Sequence, residues 1–328
     1  MKKLYVQKII FYILALCYAF FLSILPNDIF RDRSGYVIYA EEANLYLINA
    51  YNEGVISFLF SEPIFLIISH VIGLIIGDNL VPIFFVFVSG FIYFYSVLKE
   101  SSDALSRLLV CVLIFSSPSF IHLQNVVLRQ GFATAILLLV CISTSDRKKW
   151  LVTCFVLGFI HNSFFLIGFL IFFDYILSIF NIKDIFKYFI FLVSFFTFGL
   201  FSNFLFSSIE FKQSNFIENS DMSVSGFAFA LWLGVLFLII FRIKKYNIKY
   251  DVDTIAIVGL IFYLSMYFLS PIGGRVILSF LPFIFLSIVK NLDRITLLFI
   301  LLFLFVNLTI FRSVISANSL NSPLLSFF

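Results

Sequence analysis

Apolar runs of roughly 18 to 20 residues recur along the whole of this chain, and each is long enough to cross a hydrocarbon core of about 30 Å as a helix. In lipid such a segment must satisfy its own backbone polar groups, which leaves helices as the natural solution for runs of this length. The chain is 62% apolar and only 12% charged, whereas soluble domains are roughly 45–50% and 25%. A soluble globular fold is therefore excluded. The expectation is an all-α, polytopic transmembrane protein of about 11–12 membrane segments, one of them re-entrant. Residues 1–328 form one integral membrane domain.

Lys2, Lys3 and Lys8 precede the apolar run 9–25, and no small-residue cleavage site follows it. That run reads as a retained first span with a cytoplasmic N-terminus, not as a removed signal peptide. Lys and Arg accumulate in short cytoplasmic loops, so Arg147-Lys148-Lys149 and Arg242 with Lys244, Lys245 and Lys249 mark the inside. Lys183 with Lys187, and Lys290 with Arg294, mark it again. Joining these markers requires two short spans between 150 and 180, folded back at His161-Asn162-Ser163. The stretch 27–61 becomes a first periplasmic loop, and 207–225 a second large one. Sixteen of the 22 Lys and Arg then lie inside. Parity closes if the run 64–76 is re-entrant, if 43–60 also crosses, or if Lys99 and Arg107 do not lie inside; the re-entrant reading is favoured, with Gly73 and Gly77 as a small-residue spacing that suits close packing. The tail 312–328 is polar enough to be flexible.

The scattered cations form no stripe that would track a phosphate backbone, so no nucleic-acid partner is expected. Cys17, Cys111, Cys141 and Cys154 sit singly in apolar runs, without the spacing of a disulfide framework or a zinc site. No metal-ligand cluster and no cofactor are expected. Without a soluble catalytic domain, any reaction must take place at a membrane face or within the bilayer.

The unusual polar residues gather on the external side. Arg129-Gln130 opens the run 131–142, His161-Asn162-Ser163 makes the external turn, and Gly273-Gly274-Arg275 opens another span. Ionisable groups at such a depth are costly unless paired or used. The first loop supplies the acidic counterpart with Asp28, Arg31-Asp32-Arg33, Glu41, Glu42, Glu53 and Glu62-Pro63, and its middle, 36–60, suits an interfacial amphipathic segment. Guanidinium forks bind phosphate oxygens, and a carboxylate or imidazole can accept a hydroxyl proton. Such a site fits a substrate with phosphate at one end and hydroxyls at the other.

Each residue also has a plainer explanation. Arg129 and Arg275 could snorkel to the interface. Asp32 could be solvated charge, Glu62-Pro63 a helix start with its carboxylate on the dipole, and His161 a turn residue. Asp174, inside an apolar run, reads as a buried hydrogen-bond partner or a cytoplasmic-end residue. His70 and His122 carry no expected role. No nucleophile with an adjacent base is visible.

In order along the chain, Arg31-Asp32-Arg33-Ser34-Gly35-Tyr36, Ser61-Glu62-Pro63-Ile64-Phe65, Leu128-Arg129-Gln130-Gly131-Phe132-Ala133, Gly158-Phe159-Ile160-His161-Asn162-Ser163 and Gly274-Arg275 resemble the EpsG family of polysaccharide polymerases, a group that includes many Wzy-type O-antigen polymerases. The resemblance covers residues 28–280. It implies a glycosyltransferase of the bacterial inner membrane, acting on its periplasmic face; with arginines to take the pyrophosphate charge, the transfer is expected to be metal-independent. Its substrate would be an undecaprenyl-pyrophosphate-linked oligosaccharide, joined repeat unit by repeat unit into O-antigen (lipopolysaccharide) or exopolysaccharide. Membrane lipid and a chain-length regulator protein are the implied partners. Arg129, Gln130, Ser163 and Arg275 become substrate-binding residues, and Asp32, Glu62 and His161 the catalytic candidates, any of which can be the base. The alternatives are a glycosyltransferase using a polyprenyl-phosphate sugar and a lipid-linked oligosaccharide transporter; a transporter would want matching halves and polar residues along a path through the bilayer.

Overall fold

The computed structural model describes residues 2–25, 30, 32–208 and 225–316. Asp28, Arg31, most of the loop 207–225 and the tail beyond 316 lie outside them. The described chain is helical, with no strand. Its helices are α1 (Lys2–Ser23), α2 (Arg33–Glu41), α3 (Ala43–Glu53), α4 (Val55–Phe60), α5 (Pro63–Ile76), α6 (Val81–Glu100), α7 (Ala104–Ser116) and α8 (Pro118–Asn125). They continue as α9 (Leu128–Ser143), α10 (Arg147–Gly158), α11 (Ser163–Ile179), α12 (Asp184–Ser208), α13 (Gly226–Tyr246), α14 (Asp251–Met266), α15 (Ile272–Val289) and α16 (Arg294–Ser316). Residues 312–316 thus extend the last helix.

The expected eleven or twelve segments resolve into two kinds. Among the described residues six helices, α1, α6, α12, α13, α15 and α16, are long and apolar enough to cross a membrane. The polytopic all-α class is therefore borne out. α5, α9 and α11 are apolar but shorter. The apolar run 108–121 is not one helix: α7 and α8 meet at an angle of 73°. Ser117 and Pro118 produce that break, since proline suits the first turn of a new helix and the Ser117 hydroxyl accepts from the Phe120 N–H at 3.4 Å.

Burial sorts the helices into centre and rim. In α15, 83% of the residues of the apolar window are enclosed, against 22% in α1 and α12. α14 packs on α15 and is buried almost all round, as a helix apolar on every face must be. α1 and α12 expose Ile9, Ile10, Phe186 and Phe189, the surface that faces lipid.

Ion pairs define one end of the bundle. Lys290 Nζ reaches Glu100 Oε1 at 2.7 Å, Arg242 Nη2 reaches Asp253 Oδ1 at 2.5 Å, and Lys245 reaches Asp293 at 2.6 Å. Asp174 takes Arg147 at 2.6 Å and Lys187 at 3.2 Å, while Lys249 meets Asp184 at 3.2 Å. These contacts gather the C-termini of α6, α11, α13 and α15 and the N-termini of α10, α12, α14 and α16. Asp174 is a buried partner, as its sequence position suggested. We call this the basic end.

The chain reaches the opposite end with α1, whose Tyr12 stacks on Tyr95 and whose Leu22 approaches Gly90, so α1 and α6 run antiparallel. It leaves that end again with α6. Helices α2 to α5 therefore make no net crossing, in keeping with a re-entrant 64–76. Gly77, at φ +91°, ends α5 there and suits a left-handed backbone better than any residue with a side chain. Phe65 on Phe85 (4.9 Å) and Phe85 on Phe132 (5.0 Å) lock α5 to α6 and α9.

Candidate active site

Four helix N-termini meet at the end opposite the basic one: those of α5, α9, α11 and α15. Each carries the positive pole of its macrodipole. Arg129 lies in the first turn of α9 and Arg275 in the first turn of α15, where a cation opposes the dipole. Guanidinium groups concentrated on positive helix ends need an anion.

Glu62 supplies part of it. One carboxylate oxygen forms an ion pair with Arg129 Nη1. The other, Oε1, accepts the Asn162 N–H at 3.0 Å, in the turn before α11. Glu62 stands at the N-cap of α5, the helix start of the plainer reading, but makes no capping hydrogen bond through its side chain. The Phe159 carbonyl meets the first amides of α5 instead, Ile64 at 3.1 Å and Phe65 at 3.4 Å. Asn162 Nδ2 donates to the Phe60 carbonyl at 2.8 Å. Glu62 has φ 61° and ψ 52°, the left-handed region. For a residue with a side chain that costs about 1–2 kcal/mol, offset here by the contacts that fix it.

Aromatic rings surround the Arg129 guanidinium, with centroids of Tyr39 at 5.0 Å, Phe65 at 5.8 Å and Tyr36 at 5.9 Å. Tyr36 closes the motif at residues 31–36, whereas Tyr39 was not singled out in the sequence; its spacing of three from Tyr36 on a short helix is the signal that could have found it. Arg33, which lies beside them in sequence, is wholly buried and does a different task. It holds α8 to α1 and α2 through Asn125 Oδ1 at 2.8 Å, the Asn125 carbonyl at 3.2 Å and the Leu25 carbonyl at 3.0 Å.

Gln130 is buried, and its amide nitrogen donates to the Arg275 carbonyl and to Ser279 Oγ, both at 2.8 Å. It thereby fixes the Arg275-bearing turn of α15 against the Arg129-bearing turn of α9. Gly131 makes the next contact: a Cβ there would meet the Leu123 carbonyl oxygen at 2.3 Å, and its own carbonyl accepts from Tyr93 Oη at 2.7 Å. No larger residue fits without moving α8 away from α9.

His161 lies in the turn between α10 and α11. Its Nδ1 is 2.7 Å from Ser163 Oγ and 3.3 Å from the Ser163 N–H. A backbone N–H can only donate, so Nδ1 accepts and the ring proton sits on Nε2. Burial pushes the imidazole down to about 4; Glu62 opposes that shift, while Arg129 and Arg275 add to it. The ring is therefore neutral at ordinary pH and offers Nε2–H as a donor. Asp32, by contrast, is exposed at the start of α2, and its carboxylate makes no hydrogen bond or ion pair among the described residues. Glu62, Arg129, Gln130, His161, Ser163 and Arg275 come together, whereas Asp32 makes no hydrogen bond or ion pair with them among the described residues. Among the described residues no three His, Cys, Asp or Glu side chains assemble as a metal site.

Fold and site define a multi-pass helical membrane protein with an anion-seeking cluster at one end of its bundle. The EpsG family sequence profile matches residues 8–327. The chain belongs to the EpsG family, the family of polysaccharide polymerase-like membrane proteins. Neither a curated protein nor a solved structure matches it.

Proposed function

We propose that the protein polymerises oligosaccharide repeat units carried on undecaprenyl pyrophosphate into O-antigen or exopolysaccharide, at the periplasmic face of the bacterial inner membrane. A hydroxyl of the incoming unit would attack the anomeric carbon of the growing glycan, and the bond to the lipid pyrophosphate would break with its electron pair on the departing oxygen. Charge builds on that leaving group, and fixed cations facing it lower the barrier. Arg129 and Arg275, on the positive ends of α9 and α15, are the cations in this reading. His161 would add a neutral Nε2–H donor, held in that tautomer by Ser163.

The resting Glu62 carboxylate is committed to Arg129 and to Asn162. A pyrophosphate drawing Arg129 toward itself would free the paired oxygen to accept the attacking hydroxyl's proton, which makes Glu62 the base. Asp32, exposed at the start of α2, makes none of these contacts in the resting arrangement, and Gln130 and Ser163 act by positioning Arg275 and His161. The observation that carries the proposal is the convergence of Glu62, Arg129, His161 and Arg275 from four separate helices at one end of the bundle. The test is polymerisation of lipid-linked repeat units by purified protein. Arg129→Ala and Arg275→Ala should each abolish the ladder of chain lengths; a normal ladder from the double variant would refute the assignment. A single added sugar in place of a ladder would point to a polyprenyl-phosphate-dependent transferase.

A further inference from the structure

At the basic end, six cations of the α10–α16 half meet carboxylates, Arg147 and Lys187 on Asp174, Arg242 on Asp253, Lys245 on Asp293, Lys249 on Asp184 and Lys290 on Glu100, while Lys148, Lys149, Lys183, Lys244 and Arg294 form no ion pair among the described residues. The α1–α6–α7 corner differs. A cavity of about 290 Å³ opens there, lined by Gln7, Lys8, Phe11, Tyr95, Lys99 and Arg107. Three of the six lining residues are cationic and none is acidic. Among the described residues, no carboxylate forms an ion pair with any of the three.

Arg107 is held in place without being neutralised. Its Nε donates to the Leu98 carbonyl at 3.1 Å and its Nη2 to the Ser101 carbonyl at 3.2 Å, while the guanidinium stacks on Phe11 at 4.9 Å. Carbonyl dipoles orient a guanidinium but leave its net charge intact. Lys8 and Lys99 are exposed beside it. Two cations that merely snorkelled would go separately to water; these line one cavity around a fixed third. Next to the cavity the outer face of α1 presents Val6, Ile9, Ile10 and Ile13 to lipid, and Tyr12 stacks on Tyr95 at 4.7 Å. A free anion would have no use for that apolar flank.

We propose that this corner binds the phosphate headgroup of an anionic phospholipid from the leaflet at the basic end, its acyl chains lying along α1. Such a lipid would also fasten α1, a rim helix with little enclosed surface, to α6 and α7. Basic pockets between membrane helices are recognised lipid-headgroup sites, each cation adding to the attraction.

Native mass spectrometry of the full chain in detergent tests this, with dioleoyl phosphatidylglycerol, dioleoyl phosphatidylcholine and inorganic phosphate as probes. The wild type should retain phosphatidylglycerol in preference to phosphatidylcholine, and inorganic phosphate should not displace it. The Lys8→Gln/Lys99→Gln double variant should weaken phosphatidylglycerol retention by about thirtyfold, and Lys8→Arg/Lys99→Arg should restore it. Equal retention of the two lipids by the wild type overturns the proposal whatever the variants do. Unchanged retention by the glutamine variant overturns it too, and displacement by inorganic phosphate would reduce the corner to a free-anion site.

Discussion

Two arginine–carboxylate pairs stand at opposite ends of the same bundle, and their difference separates a structural ion pair from a working one. Arg242 and Asp253 are sealed, with side chains 3% and 0% exposed. Asp253 also accepts from Ser287 Oγ at 2.7 Å and from the Tyr250 N–H at 2.8 Å, closing the start of α14. Arg129 and Glu62 are 29% and 9% exposed. Each arginine keeps a buried Nε without a partner, so unsatisfied donors do not distinguish the two pairs. Access and backbone do. Glu62 holds a left-handed conformation that the sealed pair has no counterpart for, and strain of this kind gathers at ligand clamps and active sites. One pair ties helices together; the other holds a guanidinium ready beside a second one.

The comparison breaks most visibly on arginine removal. Arg129→Ala should leave a folded, monodisperse protein in gel filtration and cut polymerisation by about 10²–10³-fold, and Arg129→Lys should not restore it, since a lysine lacks the fork. Arg242→Ala leaves Asp253 charged and buried, which costs about 3–5 kcal/mol, and should show as lost folded protein. Equal behaviour of the two variants in both assays would erase the distinction.

Glu62 sharpens it. Glu62→Gln should abolish the ladder at nearly full yield of folded protein, whereas Glu62→Gly should be equally inactive yet regain about 1 kcal/mol of backbone strain, visible as a higher midpoint relative to Glu62→Gln in thermal unfolding. Gly131→Ala comes next: overpacking against the Leu123 carbonyl should cost about 1–3 kcal/mol and lower turnover through displacement of Arg129.

The smallest effect concerns pH. Because the folded His161 ring has its affinity for protons lowered to about 4 from the ordinary 6.5, the unfolded chain binds the proton more readily. The stability this residue contributes is fully present above pH 6.5 and is lost as pH falls through about 4. Its ring carbon resonance should titrate near the lower value, and turnover should show no His161 limb between pH 8 and 6. Ser163→Ala should raise the ring's mobility with little change in yield.

Much of the fold was legible because lipid leaves the backbone few options: the apolar runs, the basic clusters and the hairpin at His161-Asn162-Ser163 all follow from solvation. The grouping of Arg129, His161 and Arg275 was legible for the same reason, as charge placed where charge is expensive. The division of tasks was not. Glu62 and Arg129 are 67 residues apart, and their pairing depends on a left-handed backbone angle that no periodicity encodes. Gln130 looked like a ligand-facing amide, but its nitrogen is taken up by α15. The break at Ser117-Pro118 was hidden because the residues on both sides are apolar, so hydropathy ran straight through it.

The convergence of Arg129 and Arg275 at one end of the bundle is tested most directly by side-specific labelling. In a chain whose four native cysteines are replaced by serine, Arg129→Cys and Arg275→Cys should both react with a membrane-impermeant maleimide added from one side, the side from which Lys148→Cys does not react. Labelling of positions 129 and 275 from opposite sides would contradict a shared anion site.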